Sequence, residues 1–286
     1  MEFIEILKVI LLGIVEGITE WLPISSTGHM LLLDEIFTLQ LSDAFKEMFF
    51  VVIQLGAILA VVVLFFKKLF PFHLEKKEGK NKLTADMGIF NLWGKVLVAC
   101  LPAAVLGILF DDILEENLHT PFIIALMLIV YGVAFIWIEN RNKDRELPIK
   151  TTDGISYKHA FIIGAFQVLS LIPGTSRSGA TIIGALLIGV ARPAGAEFTF
   201  FLAIPVMVGA SAIKLLKFFL DAGAMSGAEV GYLLIGSAVA FVVSLMAIKF
   251  LMNFVKKHDF KVFGWYRIAL GSLVIATMVI PSLLFA

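Results

Sequence analysis

The chain has 286 residues, 59% of them hydrophobic, with a mean hydropathy of +0.96 and no net formal charge. That composition excludes a soluble globular domain and points to a polytopic membrane protein, with room for roughly six to eight segments of about 20 residues. The balanced charge gives no sign of a nucleic-acid partner, and the single cysteine, Cys100, excludes an intrachain disulfide.

In chain order, residues 5–22 form an apolar run that ends at Pro23 and is followed by a second short helix to about residue 37. Glu2 and Glu5 stand where a basic leader would be, so no cleavable signal peptide is evident. A full-length span is predicted near 45–66, then others near 91–110 and 120–138. Residues 157–172 form another broken run, ending at Pro173 and followed by a short helix to about residue 190. Three more spans are predicted near 197–220, 229–254 and 264–285.

Broken backbone at membrane depth is tolerated only inside protein or against a wet cavity, so both broken runs read as re-entrant helical hairpins. Trp21, Trp93, Trp137 and Trp265 read as interface anchors; Gln54, a polar residue within a span, either lines such a cavity or, as favoured for it alone, is a packing residue.

Lys and Arg set the expected orientation. The loop after the first span carries Lys67, Lys68, Lys76, Lys77, Lys80 and Lys82, and later loops carry Arg141, Lys143, Arg145 and Lys150, then Lys256, Lys257 and Lys261. Another loop is acidic, with Asp111, Asp112, Glu115 and Glu116. The basic loops share one side, the cytoplasmic one, if each hairpin returns to the side it entered. Both termini then face outward. Lys214 and Lys217, near an outer end, count mildly against this orientation.

Two segments repeat at a constant offset of 151 positions. Gly13, Glu16, Ser25, Thr27 and Gly28 meet Gly164, Gln167, Ser176, Ser178 and Gly179, and further on Phe49, Phe50 and Ile53 meet Phe200, Phe201 and Ile204. Each copy holds one hairpin and three spans. Three crossings are odd, so the second copy inserts upside down. The expected fold is therefore all-α: one integral membrane domain over 1–286, with repeat one about 1–140 and repeat two about 155–286 in an inverted-topology repeat. Such a repeat places a site near the midplane, where the hairpin tips meet.

The polar residues of these segments define candidate chemistry. Glu16 and Glu20 are four apart and share a helix face. A charge at the centre of a membrane helix costs ~2.5–3.5 kcal/mol on insertion scales, and two carboxylates repel. Either one is protonated or both share a hard cation such as Mg²⁺ or Ca²⁺. Ser25 or Ser26 can cap the following helix, whose free amides suit an anion. His29 lies within helical reach of either hydroxyl, the arrangement of a nucleophile beside a base.

In the second segment Gly174, Thr175, Ser176 and Ser178 make an open turn rich in amides and hydroxyls, followed by Thr181. Arg177 offers a planar fork matched to phosphate, and amid apolar sequence it needs an anionic partner: Glu16, Glu20 or a ligand. An anion cradle, a cation site and a nucleophile–base pair in a membrane favour phosphoryl hydrolysis on a lipid. The rival class is a transporter or flippase of a lipid phosphate or small anion, because inverted repeats with broken helices are transporter architecture.

Glu16-Gly-Ile-Thr-Glu20 with Pro23-Ile-Ser-Ser-Thr-Gly-His29, and Pro173-Gly-Thr-Ser-Arg177-Ser-Gly-Ala-Thr181, resemble the bacterial undecaprenyl-diphosphatase family, also called bacitracin resistance proteins. The resemblance covers essentially the whole chain. It implies a hydrolase that converts undecaprenyl diphosphate to undecaprenyl phosphate and recycles the carrier lipid for peptidoglycan synthesis. It also implies a multi-pass protein of the bacterial inner (plasma) membrane, active at the outer face, with a divalent cation.

By position it assigns Glu16 and Glu20 to the acidic motif, Ser26 and His29 to the catalytic pair, and Ser176, Arg177 and Thr181 to the phosphate loop. Membrane lipids and a polyprenyl diphosphate are the implied partners. Whether Ser26 or His29 is the nucleophile, and whether the chain forms a homodimer, stays open at the level of sequence.

Overall fold

The computed structural model describes residues 2–77 and 80–284; the side chains of 34–36, 74–77, 80–82, 111–117 and 283–284 lie outside that description. Among the described residues, six helices are long and apolar enough to cross a membrane, in register with the six expected spans. The chain is an all-α multi-pass membrane protein.

Local chemistry fixes where the elements start. Helices α1 (Phe3–Thr19) and α2 (Ser26–Ile36) form the first broken pair. The first span, α3 (Asp43–Leu64), begins where the Ser42 hydroxyl accepts a hydrogen bond from the Phe45 amide at 3.3 Å. A single turn, α4 (Phe66–Leu69), leads into strands β1 (Phe72–Lys77) and β2 (Lys80–Ala85), which pair antiparallel. The basic stretch expected as a loop is thus a small hairpin. Phe72 anchors it, meeting Phe90 edge-on at 5.9 Å between ring centroids. The side chains of Lys76, Lys77, Lys80 and Lys82 are outside the described residues.

Helix α5 (Met87–Leu118) is capped by Asp86, whose carboxylate accepts from Gly88 N at 2.8 Å. It continues as helix through the acidic stretch expected as a loop, although the side chains of Asp111, Asp112, Glu115 and Glu116 are outside the described residues. Helix α6 (Pro121–Arg141) starts at Thr120 with Pro121 in its first turn, where a missing amide costs nothing.

The second broken pair is α7 (Tyr157–Val168), opened by a Ser156–His159 capping box, and α8 (Arg177–Leu187). The last spans are α9 (Arg192–Asp221), α10 (Gly227–Phe254), and α11 (Lys261–Val274), which runs on through a π-helical stretch, Ile275–Val279, into α12 (Ile280–Leu284). The wide π turn lies just before Pro281, which has no amide to donate to the preceding turn.

Each broken pair packs on a span from the other half of the chain. Helix α1 lies along α10, and α7 lies along α5. Small residues permit these approaches. A methyl group at Gly13 would stand 2.8 Å from the Gly236 carbonyl oxygen, and one at Gly164 would stand 2.2 Å from that of Ala99. Apolar tails solvate helices as well as apolar side chains do, so close backbone approach is what favours association in lipid. Helix α3 packs on both α10 and α9, and α6 packs on α11. In the latter, Gly132 and Gly264 each face the other's carbonyl, while Gly271 faces that of Ala125, so the two helices run antiparallel.

Candidate active site

Two turns meet in the interior, and their backbones are nearly identical. Ser25 has φ 72° and ψ 102°, and Ser176 has φ 71° and ψ 123°; they are the only non-glycine residues with positive φ among the described residues. Each stores on the order of 1–3 kcal/mol of backbone strain. Each also caps the helix it opens: Ser25 Oγ accepts from Gly28 N at 3.4 Å, and Ser176 Oγ from Gly179 N at 3.2 Å. Ser25, not Ser26, is therefore the cap of α2, which leaves the Ser26 hydroxyl free for other chemistry.

Arg177, the first residue of α8, reaches across to the first turn. Its Nη2 donates to Glu20 Oε1 at 2.9 Å and its Nη1 to the Thr199 carbonyl at 2.9 Å. Both ion-pair side chains are nearly buried, at 10% and 7% exposure. The other Glu20 oxygen accepts from Ser26 Oγ at 3.4 Å, and Ser178 Oγ donates to the Glu20 carbonyl at 3.4 Å. The anionic partner the arginine required is thus Glu20. Glu16, one turn back on α1, is 1% exposed and lies within hydrogen-bonding reach of the Glu20 carboxyl, while its Oε1 has no partner.

A cavity of about 500 Å³ opens beside these groups. Glu16, Ser26, Thr27 and Gln54 line it, together with Glu47 and Lys214 at its far rim. Of the two places the sequence left open for Gln54, packing or cavity wall, the structure puts it on the wall of the site cavity. Lys214 reaches 3.9 Å from Glu47.

His29 does not stand where the sequence placed it. Its Nδ1 lies 2.7 Å from the Ser25 carbonyl and its Nε2 lies 2.7 Å from the Tyr266 hydroxyl. A carbonyl only accepts, so Nδ1 carries the proton and Nε2 accepts from Tyr266. Neither nitrogen is available to the Ser26 hydroxyl, and the expected Ser26–His29 pair is not formed. The base in contact with Ser26 is Glu20.

Three of the other expected phosphate ligands, Thr181, Ser176 and Ser178, are engaged elsewhere. Thr181 is fully buried, donating to the Arg177 carbonyl at 2.9 Å and accepting from Thr199 Oγ1 at 2.9 Å, so its hydroxyl braces the arginine's own backbone. Ser176 and Ser178 bond each other at 3.1 Å. Gly174, with φ 88°, lies so close to the Ile124 carbonyl that a methyl group would stand 2.5 Å away. Thr175 is fully buried and its hydroxyl has no partner.

Among the described residues, no cluster of three or more His, Cys, Asp or Glu could hold a metal by itself. Glu16 and Glu20 alone suit a hard cation only where a substrate phosphate and water supply the other ligands, the usual arrangement for Mg²⁺ at phosphate sites.

Comparison with known proteins adds to this geometry. The family model described as bacitracin resistance protein BacA matches residues 9–273. The chain belongs to this family. Among its relatives, a protein of Enterococcus faecalis named undecaprenyl-diphosphatase is 68% identical over 275 residues, covering 96% of this chain and 98% of the relative. Proteins of the same name from Lachnoclostridium phytofermentans and Desulfitobacterium hafniense are 59% and 56% identical, each over 96% of this chain and over 97% and 96% of their own lengths.

The structure adds a residue that sequence reasoning passed over. Arg267 on α11 is fully buried. It donates to the Pro23 carbonyl of the first turn at 3.3 Å and to the Gly174 and Thr175 carbonyls of the second at 2.8 and 2.9 Å. A single guanidinium thus clasps both turns, and its face lies over the Tyr131 ring at 5.5 Å. The signal was present, since an arginine inside a membrane span demands partners. Trp21 was misjudged in the other direction. It is fully buried, meeting Phe200 edge-on at 5.2 Å, and is no interface anchor. Trp137 and Trp265 are more than half exposed, as anchors should be.

Proposed function

We propose that the chain hydrolyses undecaprenyl diphosphate to undecaprenyl phosphate and inorganic phosphate, recycling the carrier lipid for peptidoglycan synthesis and conferring bacitracin resistance. The names and coverage of its relatives support the substrate. The observation that carries the mechanism is the line Arg177–Glu20–Ser26, which joins a phosphate-binding fork, a base and a hydroxyl beside a cavity.

The prenyl tail stays in lipid and the diphosphate enters the cavity. Its negative oxygens compete with Glu20 for the Arg177 guanidinium, and the released Glu20 carboxylate takes the Ser26 proton. Ser26 Oγ bonds to the terminal phosphorus as the bridging P–O bond breaks, and the lipid monophosphate leaves. Water then splits the serine phosphate. A divalent cation bound by Glu16 and Glu20 would neutralise charge on the phosphates. His29, held by Ser25 and Tyr266, fixes the first turn of α2 below the reacting serine.

The paired turns, the exchanged packing of α1 on α10 and α7 on α5, and the antiparallel α6–α11 contact support an inverted-topology repeat, with the halves at about 1–140 and 155–286. The distribution of lysine supports an inner-membrane protein with basic loops inside and the cavity toward the outer face.

Phosphate release from undecaprenyl diphosphate by the purified protein in detergent tests the activity. A transporter would release none, whereas an enzyme needs no sealed membrane. Trapping and mapping the phosphoenzyme tests the nucleophile: phosphate on Ser26 supports this mechanism, and phosphate on His29 removes it.

A further inference from the structure

A second cavity, larger than the one described above, lies elsewhere in the molecule. It measures about 800 Å³ and lies at the opposite end of α3 and α9, framed by Leu64 and Phe65, the start of α5, residues 150–153, and the end of α10. The nearest lining residues on α3, Gln54 of the site cavity and Leu64 of this one, are 10 residues apart, or about 15 Å along the axis at 1.5 Å per residue, and the two cavities share no lining residue. The two cavities are therefore separate.

Its wall carries five lysines, Lys67, Lys68, Lys150, Lys249 and Lys256, against three carboxylates, Asp86, Asp153 and Glu197. The buried carboxylate is already neutralised: Glu197 accepts from Lys68 Nζ at 2.8 Å and from Thr152 Oγ1 at 3.3 Å. Asp86 caps α5, and Lys150 is drawn to Glu146 at 2.5 Å. Lys67, Lys249 and Lys256 make no ion pair among the described residues. Beneath this rim the lining turns apolar, with Leu64, Phe65, Leu92, Ile248 and Met252. A cationic rim over an apolar floor, at the level where membrane helices end, matches an anionic amphiphile rather than a soluble anion.

We propose that this cavity binds the phosphate headgroup of an anionic membrane phospholipid. Lys67, Lys249 and Lys256 contact the headgroup, and the apolar floor takes the first methylenes of the acyl chains. This site stands apart from the hydrolytic reading and does not depend on it.

The test uses the purified full-length protein in a neutral detergent, with phosphatidylglycerol as the probe and phosphatidylcholine and inorganic phosphate as comparators. Phosphatidylglycerol should raise the unfolding temperature saturably and remain bound in the native mass spectrum. The triple variant Lys67→Ala, Lys249→Ala, Lys256→Ala should weaken that binding at least about tenfold, since each cation near the surface contributes to anionic-lipid affinity. The single variant Lys249→Glu serves if the triple variant does not fold, and it should also weaken binding. The active-site variant Arg177→Ala should keep the phosphatidylglycerol response. Equal responses of wild type and lysine variants would overturn the proposal. So would an equal response to phosphatidylcholine, or saturation of the same shift by inorganic phosphate alone.

Discussion

The two turns share a backbone and differ in nearly every reactive side chain. Ser25 and Ser176 adopt the same strained conformation and the same capping bond. Yet at the 151-residue offset Glu16 meets Gln167, Glu20 meets Leu171, Ser26 meets Arg177 and His29 meets Ala180. The first turn brings two carboxylates, a hydroxyl and an imidazole, and the second brings the guanidinium. A conformation that exposes helix amides suits any anion site, so the backbone could be kept while the chemistry was divided. Opposite charges on the two turns then draw them together across the interior.

Exchanging or removing these differences tests the division, beginning with the largest effect. Glu20→Gln removes the base but keeps hydrogen-bonding atoms for Arg177 and Ser26. We expect phosphate release to fall by about 10²–10⁴-fold with the fold retained, measured by turnover alongside thermal unfolding. Arg177→Ala leaves Glu20 as a buried, unpaired carboxylate. It should abolish most turnover and destabilise the protein by about 3–5 kcal/mol, whereas Glu20→Gln combined with Arg177→Ala should recover part of that stability. A double variant no more stable than Arg177→Ala would remove the ion pair as the link between the turns.

Arg267→Met should loosen both turns at once, since each charged hydrogen bond it makes contributes about 1.5–3 kcal/mol. The expected signature is a fall in kcat larger than the rise in KM, with Arg267→Lys restoring little because an ammonium lacks the planar fork. Tyr266→Phe removes the only proton offered to His29 Nε2 among the described residues. A loss of only a few-fold in turnover is expected if His29 positions the serine, against a complete loss if that nitrogen works in the reaction. The smallest effect belongs to Ser176→Gly. Its lost cap costs only about a few tenths of a kcal/mol when glycine takes the position, and glycine adopts the positive φ freely, so its unfolding temperature should match or slightly exceed that of the parent chain.

The spans were legible because their signal is local: twenty apolar residues flanked by charge define a crossing whatever the rest of the chain does. The two breaks were legible for a similar reason, since Pro23, Pro173 and the Gly–Ser clusters end a helix by their own geometry. Beyond that, local signals misled. His29 sits at helical spacing from Ser26, and spacing alone suggested a pair, but the ring turns instead to Tyr266, 237 residues away. Thr181 shares a motif with Arg177, but its hydroxyl bonds inward. For Gln54 the local sequence allowed either packing or cavity lining, and only the assembly of the helices put it on the cavity wall.

The sequence by itself determined the class of molecule, the six crossings, the two broken helix pairs and the residue types that could handle a phosphate. Those properties follow from hydropathy, backbone restriction and charge, all of which act over a few neighbouring residues. Only the tertiary structure decided which carboxylate Arg177 holds, which base faces Ser26, and that Arg267 clasps both turns. Those contacts join residues from 92 to 244 positions apart, and the exception, Ser26 to Glu20, depends on how the turn between them folds. Buried polar groups in a membrane protein take their partners from wherever packing brings them, because no water is there to satisfy them otherwise.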